Sequence, residues 1–231
     1  MPLILERTPE GTLYVADNGS EDGSVELLRS RWPEVRLVCL DRNYGFTGGY
    51  NRALSIIGHS GEKFDYYLLL NSDIEVTPGW LGELVRFMDS KPECAVCSPK
   101  ILSYDRRGMF EHAGASGGFV DRWYFPYCRG RILATIEEDK GQYDSPCRIF
   151  WASGAAFMIR AGVWDGLGGL DESFFAHMEE IDLCWRAQLA GWEIWVDPAS
   201  AVYHVGGGTL PNNSPRKLYL NFRNNLLMMY K

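Results

Sequence analysis

Along the first hundred residues, short runs of β-branched and aromatic residues alternate with segments whose apolar positions recur at helical spacing. That alternation is the sequence sign of an α/β unit with a parallel sheet. Thr12–Ala16 and Val35–Leu40 read as strands, and Val25–Trp32 and Gly49–Ile57 as helices. Tyr66–Leu70 is almost wholly apolar, as expected of a strand covered on both faces. Thr77-Pro78 then reads as a helix start, with Thr as N-cap and Pro at the first helical position, and that helix runs to about Asp89.

Beyond Pro99 the pattern loosens into a Gly-rich and aromatic region, Gly114 to Gly130, followed by the acidic stretch Glu137 to Asp139. Ile149–Ile159 reads as one more buried strand. From Ser173 onward, Ile181, Trp185 and Leu189 recur at helical spacing and predict a core-facing stripe. Short strands follow near Glu193–Val196 and Ala201–His204, and an amphipathic helix from about Pro215 to Lys231 closes the chain. With no internal repeat, linker or low-complexity segment, residues 1–231 parse as a single domain.

Composition narrows the class. The 231 residues are 46% hydrophobic and 23% charged, with Gly 25 and Pro 11, which excludes collagen-like, disordered and disulfide-scaffold chains. Lys and Arg total 23 against 30 Asp and Glu, a net charge of -7, so no basic footprint for nucleic acid exists. The longest apolar stretch, Ile149 to Ile159, falls short of the roughly 20 residues of a membrane-spanning helix. The opening MPLILERTPE is too briefly apolar for a signal peptide. Six cysteines, at 39, 94, 97, 128, 147 and 184, sit in apolar stretches, which points to a reduced, cytoplasmic setting. Cys94 and Cys97 form one CxxC without the second pair that a structural zinc site needs. His177-Met178-Glu179 lacks the Pro-Cys-x-x-Cys half of a zinc deaminase signature. GxGxxG, GxxxxGK[ST] and HExxH are also absent.

Candidate chemistry lies where predicted strands end, because open α/β sheets bind ligands beyond the carboxyl ends of their strands. Three exits are polar: Asp17-Asn18-Gly19-Ser20, Asp41-Arg42-Asn43-Tyr44-Gly45 and Asn71-Ser72-Asp73. Asp and Asn also build turns, but three such exits on one sheet edge favour a ligand site. Asp73, two residues after Asn71, offers hard oxygen ligands of the kind Mg2+ or Mn2+ accepts beside phosphates. The turn Gly45-Phe46-Thr47-Gly48-Gly49 can hold phosphate or sugar oxygens on backbone N–H groups. Glu179, Glu180 and Asp182 put three carboxylates in one helical turn, crowding that raises proton affinity. The alternative is a set of helix N-terminal acids, with Asp182 paired to Arg186. His204 ends a strand just before Val205-Gly206-Gly207-Gly208, either as a ligand or as a packed histidine.

In order and spacing these segments resemble the family 2 glycosyltransferases with the GT-A fold, in particular the bacterial rhamnosyltransferase-like branch. The resemblance is carried by Val15-Ala16-Asp17-Asn18-Gly19-Ser20, Asn43-Tyr44-Gly45-Phe46, Leu70-Asn71-Ser72-Asp73, Trp151-Ala152-Ser153-Gly154, the stretch from Phe174 to Arg186, and Tyr203-His204. It implies an α/β fold with a mostly parallel central sheet flanked by helices, a nucleotide-binding half (1–99) and an acceptor and catalytic half (100–231). It further implies an inverting transfer of a sugar, rhamnose or another hexose, from a UDP- or dTDP-sugar to a hydroxyl of a polysaccharide or lipid-linked glycan precursor. On this reading Asp17 contacts the nucleobase, and Asn43 and Gly45 lie along the donor. Asn71 and Ser72 complete the donor site as part of the DxD position. Asp73 and His204 hold a divalent cation, Mg2+ or Mn2+. Glu179 and Glu180 form the catalytic pair, with Glu180 as general base.

Three departures from the family pattern stand out. Asn71 replaces the first acid of DxD, and Glu180 replaces Asp. The strand and most of the helix that relatives carry before the segment resembling Thr12–Ser20 have no counterpart here, so a gap in the sheet is expected. Two other readings therefore compete: a non-catalytic GT-A module that binds nucleotide-sugar or a partner, and a metal-dependent phosphohydrolase using the same carboxylates. On the last helix, Leu218, Phe222, Leu226 and Met229 lie beside Arg216, Lys217, Arg223 and Lys231. That face suits peripheral contact with an anionic membrane, the alternatives being core packing or a dimer contact.

Overall fold

A computed structural model describes residues 1–112, 114–206 and 215–231. Helix α1 (Pro2–Arg7) leads into β1 (Tyr14–Asp17), α2 (Ser24–Arg31), β2 (Arg36–Cys39), α3 (Gly45–Gly58), β3 (Tyr66–Leu70), β4 (Ile74–Val76), α4 (Trp80–Ser90) and β5 (Cys94–Ser103). Four short strands follow: β6 (Gly118–Val120), β7 (Pro126–Cys128), β8 (Arg131–Ile132) and β9 (Thr135–Ile136). The chain continues through β10 (Cys147–Ile149), β11 (Ala156–Arg160), α5 (Ala161–Leu167), α6 (Glu179–Leu189), β12 (Glu193–His204) and α7 (Pro215–Tyr230).

The α/β architecture is as expected, with a mixed sheet. Six strands form the central sheet in the order β10-β12-β5-β11-β3, and β4 pairs with the second half of β12. Parallel pairing joins β5 to β12 and, in a separate ribbon, β1 to β2; the other pairs of the central sheet are antiparallel. Successive side chains on a strand point to opposite faces. Val96, Phe157 and Ile194 accordingly join a core with Trp164, Phe174 and Leu183, while Cys97 and Met158 pack with Trp80, Leu84 and Met88 of α4 on the other face.

β1 and β3 run side by side across α3 without pairing. At one end Tyr50 of α3 donates its hydroxyl to Leu70 O (3.1 Å), while the neighbouring Gly49 abuts Asn18, just past β1. At the other end the Phe64 ring lies 6.2 Å from those of both Tyr14 and Tyr67. A cleft of about 2290 Å3 lined by both strands lies between them and continues past Asp17 and Asn71–Asp73.

Several predicted elements shift. The helix expected from Thr77-Pro78 begins at Trp80, after Gly79 in the left-handed conformation; Thr77 instead donates its hydroxyl to Ala201 O (2.7 Å), fastening β4 to β12. The helix expected at Gly49 starts at Gly45. Ile149–Ile159 divides into β10 and β11, and the two last strands join into β12 with an irregularity between Asp197 and Ala201. Leu189 is 74% exposed, so the stripe on α6 ends before it. On α7 the buried side chains are Leu220, Asn224, Asn225 and Met228, whereas Leu218, Phe222, Leu226 and Met229 are exposed; core packing is thus excluded for that apolar face. Cys94 and Cys97 are free thiols inside β5, and no cysteine among the described residues is bridged. The boundary drawn at 99/100 falls inside β5, and Gly207 and Gly208 lie outside the described residues.

Candidate functional site

The exits of β1 and β2 are knotted together by one side chain. Asn18 donates from Nδ2 to Gly45 O (2.9 Å) and to Asn43 Oδ1 (3.2 Å), and its Oδ1 accepts the Tyr44 N–H (2.9 Å). Asn43 Oδ1 in turn accepts the Gly45 N–H (2.8 Å). Asp17 is buried, its Oδ2 accepting the Ser20 N–H at 3.1 Å. Gly45 has φ +72°, and a Cβ there would stand 2.9 Å from the Phe175 ring; glycine is required both by conformation and by contact. The small buried residues Thr47, Gly48 and Gly49 let the first turn of α3 approach this loop closely. Asn18 has no role in the donor reading above, although it sits in the first strand exit; only its reach to the second exit reveals its part.

At the third exit, Asn71 N–H bonds Ala155 O (2.9 Å), and Asn71, Ser72 and Asp73 line the same cleft as Asp17 and Gly45. Pairing of β4 with β12 sets Ile74 opposite His204, and Val205 N–H bonds Asp73 O (3.1 Å). His204 Nε2 therefore lies 3.2 Å from Asp73 Oδ1, while its Nδ1 faces Glu111 Oε1 at 3.5 Å. Burial pushes His204 towards the neutral form, but Glu111, followed by Asp73, outweighs it and raises the imidazole above its ordinary range. Glu111, buried and unmarked by any sequence motif, is the second residue the sequence reading missed.

Among the described residues no cluster of three or more His, Cys, Asp or Glu could hold a metal by itself. Asp73 offers a hard oxygen of the kind Mg2+ or Mn2+ takes beside diphosphate oxygens, and His204 an imidazole that could complete a divalent-cation site. The carboxylate of Glu111 against the second ring nitrogen is the orienting partner that a ligating histidine requires.

Glu179 and Glu180 open α6, whose N-cap Met178 has φ 74° and makes no side-chain cap. Asp182 is taken up structurally, as the alternative reading had it: Arg186 Nε binds its Oδ2 at 2.7 Å and Lys231 Nζ its Oδ1 at 2.8 Å. The two glutamates have no such cation. Burial, then the charge of Glu180, holds the Glu179 carboxyl well above its usual range. Burial also pushes Glu180 up to about 7, against the backbone N–H groups of its own residue, Gly154 and Ile181. Its Oε2 is buried without a hydrogen-bond partner.

Gly154 ties this carboxylate to the strand exits. A Cβ on Gly154 would lie 3.5 Å from Phe46 Cζ and 3.6 Å from Glu180 Cδ, so the acid sits beside the first turn of α3. Phe46 packs on Tyr50 (centroids 4.8 Å apart), whose hydroxyl reaches Leu70, next to Asn71. These contacts connect Gly45 and Glu180 to the strand exit at Asn71, and two residues on, Asp73 meets His204. A carboxylate pushed up to about 7 is suited to taking a proton near neutral pH.

A sequence model described as glycosyl transferase family 2 matches residues 5–158. N-acetylglucosaminyl-diphospho-decaprenol L-rhamnosyltransferase of Mycobacterium tuberculosis is 29% identical over 208 residues, spanning 86% of this chain and 68% of that protein. Low-salt glycan biosynthesis hexosyltransferase Agl10 of Haloferax volcanii is 26% identical over 197 residues, spanning 84% of this chain and 60% of that protein. The crystal structure of GalNAc-T7 with UDP, GalNAc and Mn2+ superimposes on 99% of this chain with a TM-score of 0.65 at 16% identity. The chain spans 44% of that structure's length. Sharing the GT-A fold with that structure and matched by the family model from α1 into β11, the chain belongs to glycosyl transferase family 2.

Proposed function

We propose that the chain moves a hexose, rhamnose or a close relative, from a UDP- or dTDP-sugar to a hydroxyl of a polysaccharide or lipid-linked glycan precursor, inverting the anomeric carbon in one step. The observation that carries this reading is the meeting of Asp73, which lines the cleft, with His204, 131 residues apart in sequence, at 3.2 Å. A divalent cation bound there would offset the charge that builds on the departing diphosphate. Asp73 and His204 would hold it, with Glu111 fixing the imidazole. Asp17 contacts the base, the Asn43–Gly45 loop pinned by Asn18 lies along the donor, and Asn71 and Ser72 complete the donor site. Glu180 takes the acceptor proton as the hydroxyl attacks the face opposite the diphosphate, and the neighbouring Glu179, held protonated, leaves that negative charge to Glu180. Residues 1–231 act as one unit in the cytoplasm, with the exposed face of α7 against the membrane that carries the acceptor.

A screen of UDP- and dTDP-sugars with Mn2+, reading released nucleotide diphosphate, tests the activity directly. Release from at least one donor is expected, and Glu180→Gln should lower turnover by about 10²–10⁴-fold while donor binding by calorimetry persists. Binding of no donor sinks the proposal. The open cleft between β1 and β3 favours one second reading, a nucleotide-sugar-binding module without turnover. Binding without release in the wild-type chain would select it.

A further inference from the structure

The turn that delivers Glu179 and Glu180 is built from backbone that resists its own conformation. Phe175, His177 and Met178 have φ 64°, 69° and 74°, three non-glycine residues in the left-handed region immediately before α6. Side chains with a Cβ seldom occupy that region, and such residues persist only where their surroundings over-determine them. No side chain caps α6 from within, so the restraint comes from elsewhere in the chain.

It comes from α7. Asn224, fully buried, donates from Nδ2 to the carbonyls of Phe174 (3.1 Å), Ala176 (2.9 Å) and His177 (2.6 Å). Two N–H bonds are shared among three carbonyls, all within the strained turn. Arg223 Nε donates to Asn224 Oδ1 (2.8 Å), which fixes the amide with its NH2 towards the turn. The Arg223 guanidinium also reaches Ser173 O (2.5 Å) and Phe174 O (3.2 Å). On its other side the turn presses the Phe175 ring against Gly45, so the segment links the donor loop to the glutamates.

We propose that Arg223 and Asn224 are positioning residues for the Glu179–Glu180 pair: by binding the carbonyls of residues 173–177 they hold the turn in its left-handed form and so set where Glu180 meets the acceptor hydroxyl. The inference rests on the reading of Glu180 as the base. Neither side chain touches substrate, and both act through the backbone. The assignment also gives α7, which follows β12, a duty at the site independent of its exposed apolar face.

Asn224→Asp keeps the shape of the side chain and removes its donors, and Asn224→Ala removes both. Three quantities are read for each: turnover as nucleotide diphosphate released, UDP affinity and stoichiometry by calorimetry with Mn2+, and hydrogen exchange of peptides covering 173–180. Turnover is expected to fall at least tenfold, with UDP affinity and stoichiometry within twofold and exchange accelerated in 173–180 but not in β5 or β11. Unchanged turnover, a parallel loss of UDP sites, or exchange rising throughout the sheet would each overturn the proposal. If neither variant folds, Arg223→Met replaces them, with about threefold slower turnover and the same local exchange expected, and no change in either refuting it. A wild-type chain that releases no nucleotide diphosphate refutes the reading of Glu180 alone; the exchange comparison then decides whether Asn224 holds the turn.

Discussion

The role of base proposed for Glu180 needs a carboxyl that holds its proton more tightly than an exposed glutamate does, and burial supplies this, pushing Glu180 up to about 7. Turnover therefore rises with pH through about 7 and falls roughly tenfold per unit below it, a profile that a pH–rate series checks. The same shift has a cost in stability. Because the folded state binds this proton more tightly than the unfolded chain, folding stability declines as pH rises from 4.5, the ordinary value, to about 7. Glu180→Gln should raise the melting temperature at pH 8 and leave it nearly unchanged at pH 4.5, each kcal/mol appearing as about 2–4 °C for a chain of this size. Equal shifts at both pH values would mean that the carboxylate is not strained by burial. At this scale most of the candidate residues were legible in the sequence. Asp17, Asn43, Asn71, Asp73, Glu180 and His204 each sit at a strand exit or helix start visible in the apolar pattern. Asn18 and Glu111 did not stand out, because what marks them is a partner 27 residues away for one and the His204 ring far along the chain for the other.

Among the elements, those the sequence reading missed are the ones that break local rules. β5 forms the centre of the sheet, yet Pro99 and Lys100 interrupt its apolar run. Pro99 lies opposite Asp197, where the ladder with β12 is irregular, so its missing N–H disturbs an already broken register. Lys100 is tolerated in the interior because Asp139, at 2.9 Å, and Asp144 neutralise it from the loop before β10. The end of α4 depends on a similar long-range contact. Arg160, the last residue of β11, donates to Met88 O (2.8 Å), Lys91 O (3.1 Å) and Cys94 O (2.8 Å), and to the Tyr66 hydroxyl (3.2 Å). It satisfies carbonyls at the helix C-terminus and locks α4, β5 and β3 together. Arg160→Ala should cost about 2–3 kcal/mol, read as a lower urea midpoint at an unchanged slope, with Arg160→Lys recovering part of it. An unshifted midpoint would show those carbonyls to be served equally well by water.

For the whole molecule, the exposed side of α7 is an apolar face that the described residues leave uncovered. Leu218, Phe222 and Leu226 are 60%, 59% and 62% exposed on successive turns. Of the cations beside them, Arg223 bonds Ser173 O, Arg216 stacks over Phe175 and Lys231 binds Asp171 and Asp182. Any membrane contact must therefore draw mainly on apolar burial. Vesicles containing anionic lipid should sediment the wild-type chain and retain at least tenfold less of the triple variant Leu218→Glu, Phe222→Glu, Leu226→Glu. Equal retention removes the membrane role of this face. Among the described residues no helix is long and apolar enough to cross a membrane.

The sequence by itself determined the fold class, the alternation of strands and helices up to β3, the polar strand exits and the carboxylate pair, because these follow from short-range periodicity and from which residue types end an apolar run. The tertiary structure alone decided that β5 crosses the centre of the sheet and that β1 and β3 face each other across an open cleft. It also decided that His204 meets Asp73 and that α7 holds the turn before Glu179. Each of these depends on contacts between segments far apart in the chain, where a buried lysine, a left-handed turn or an unpaired strand edge is stabilised or left open by partners that no local pattern specifies.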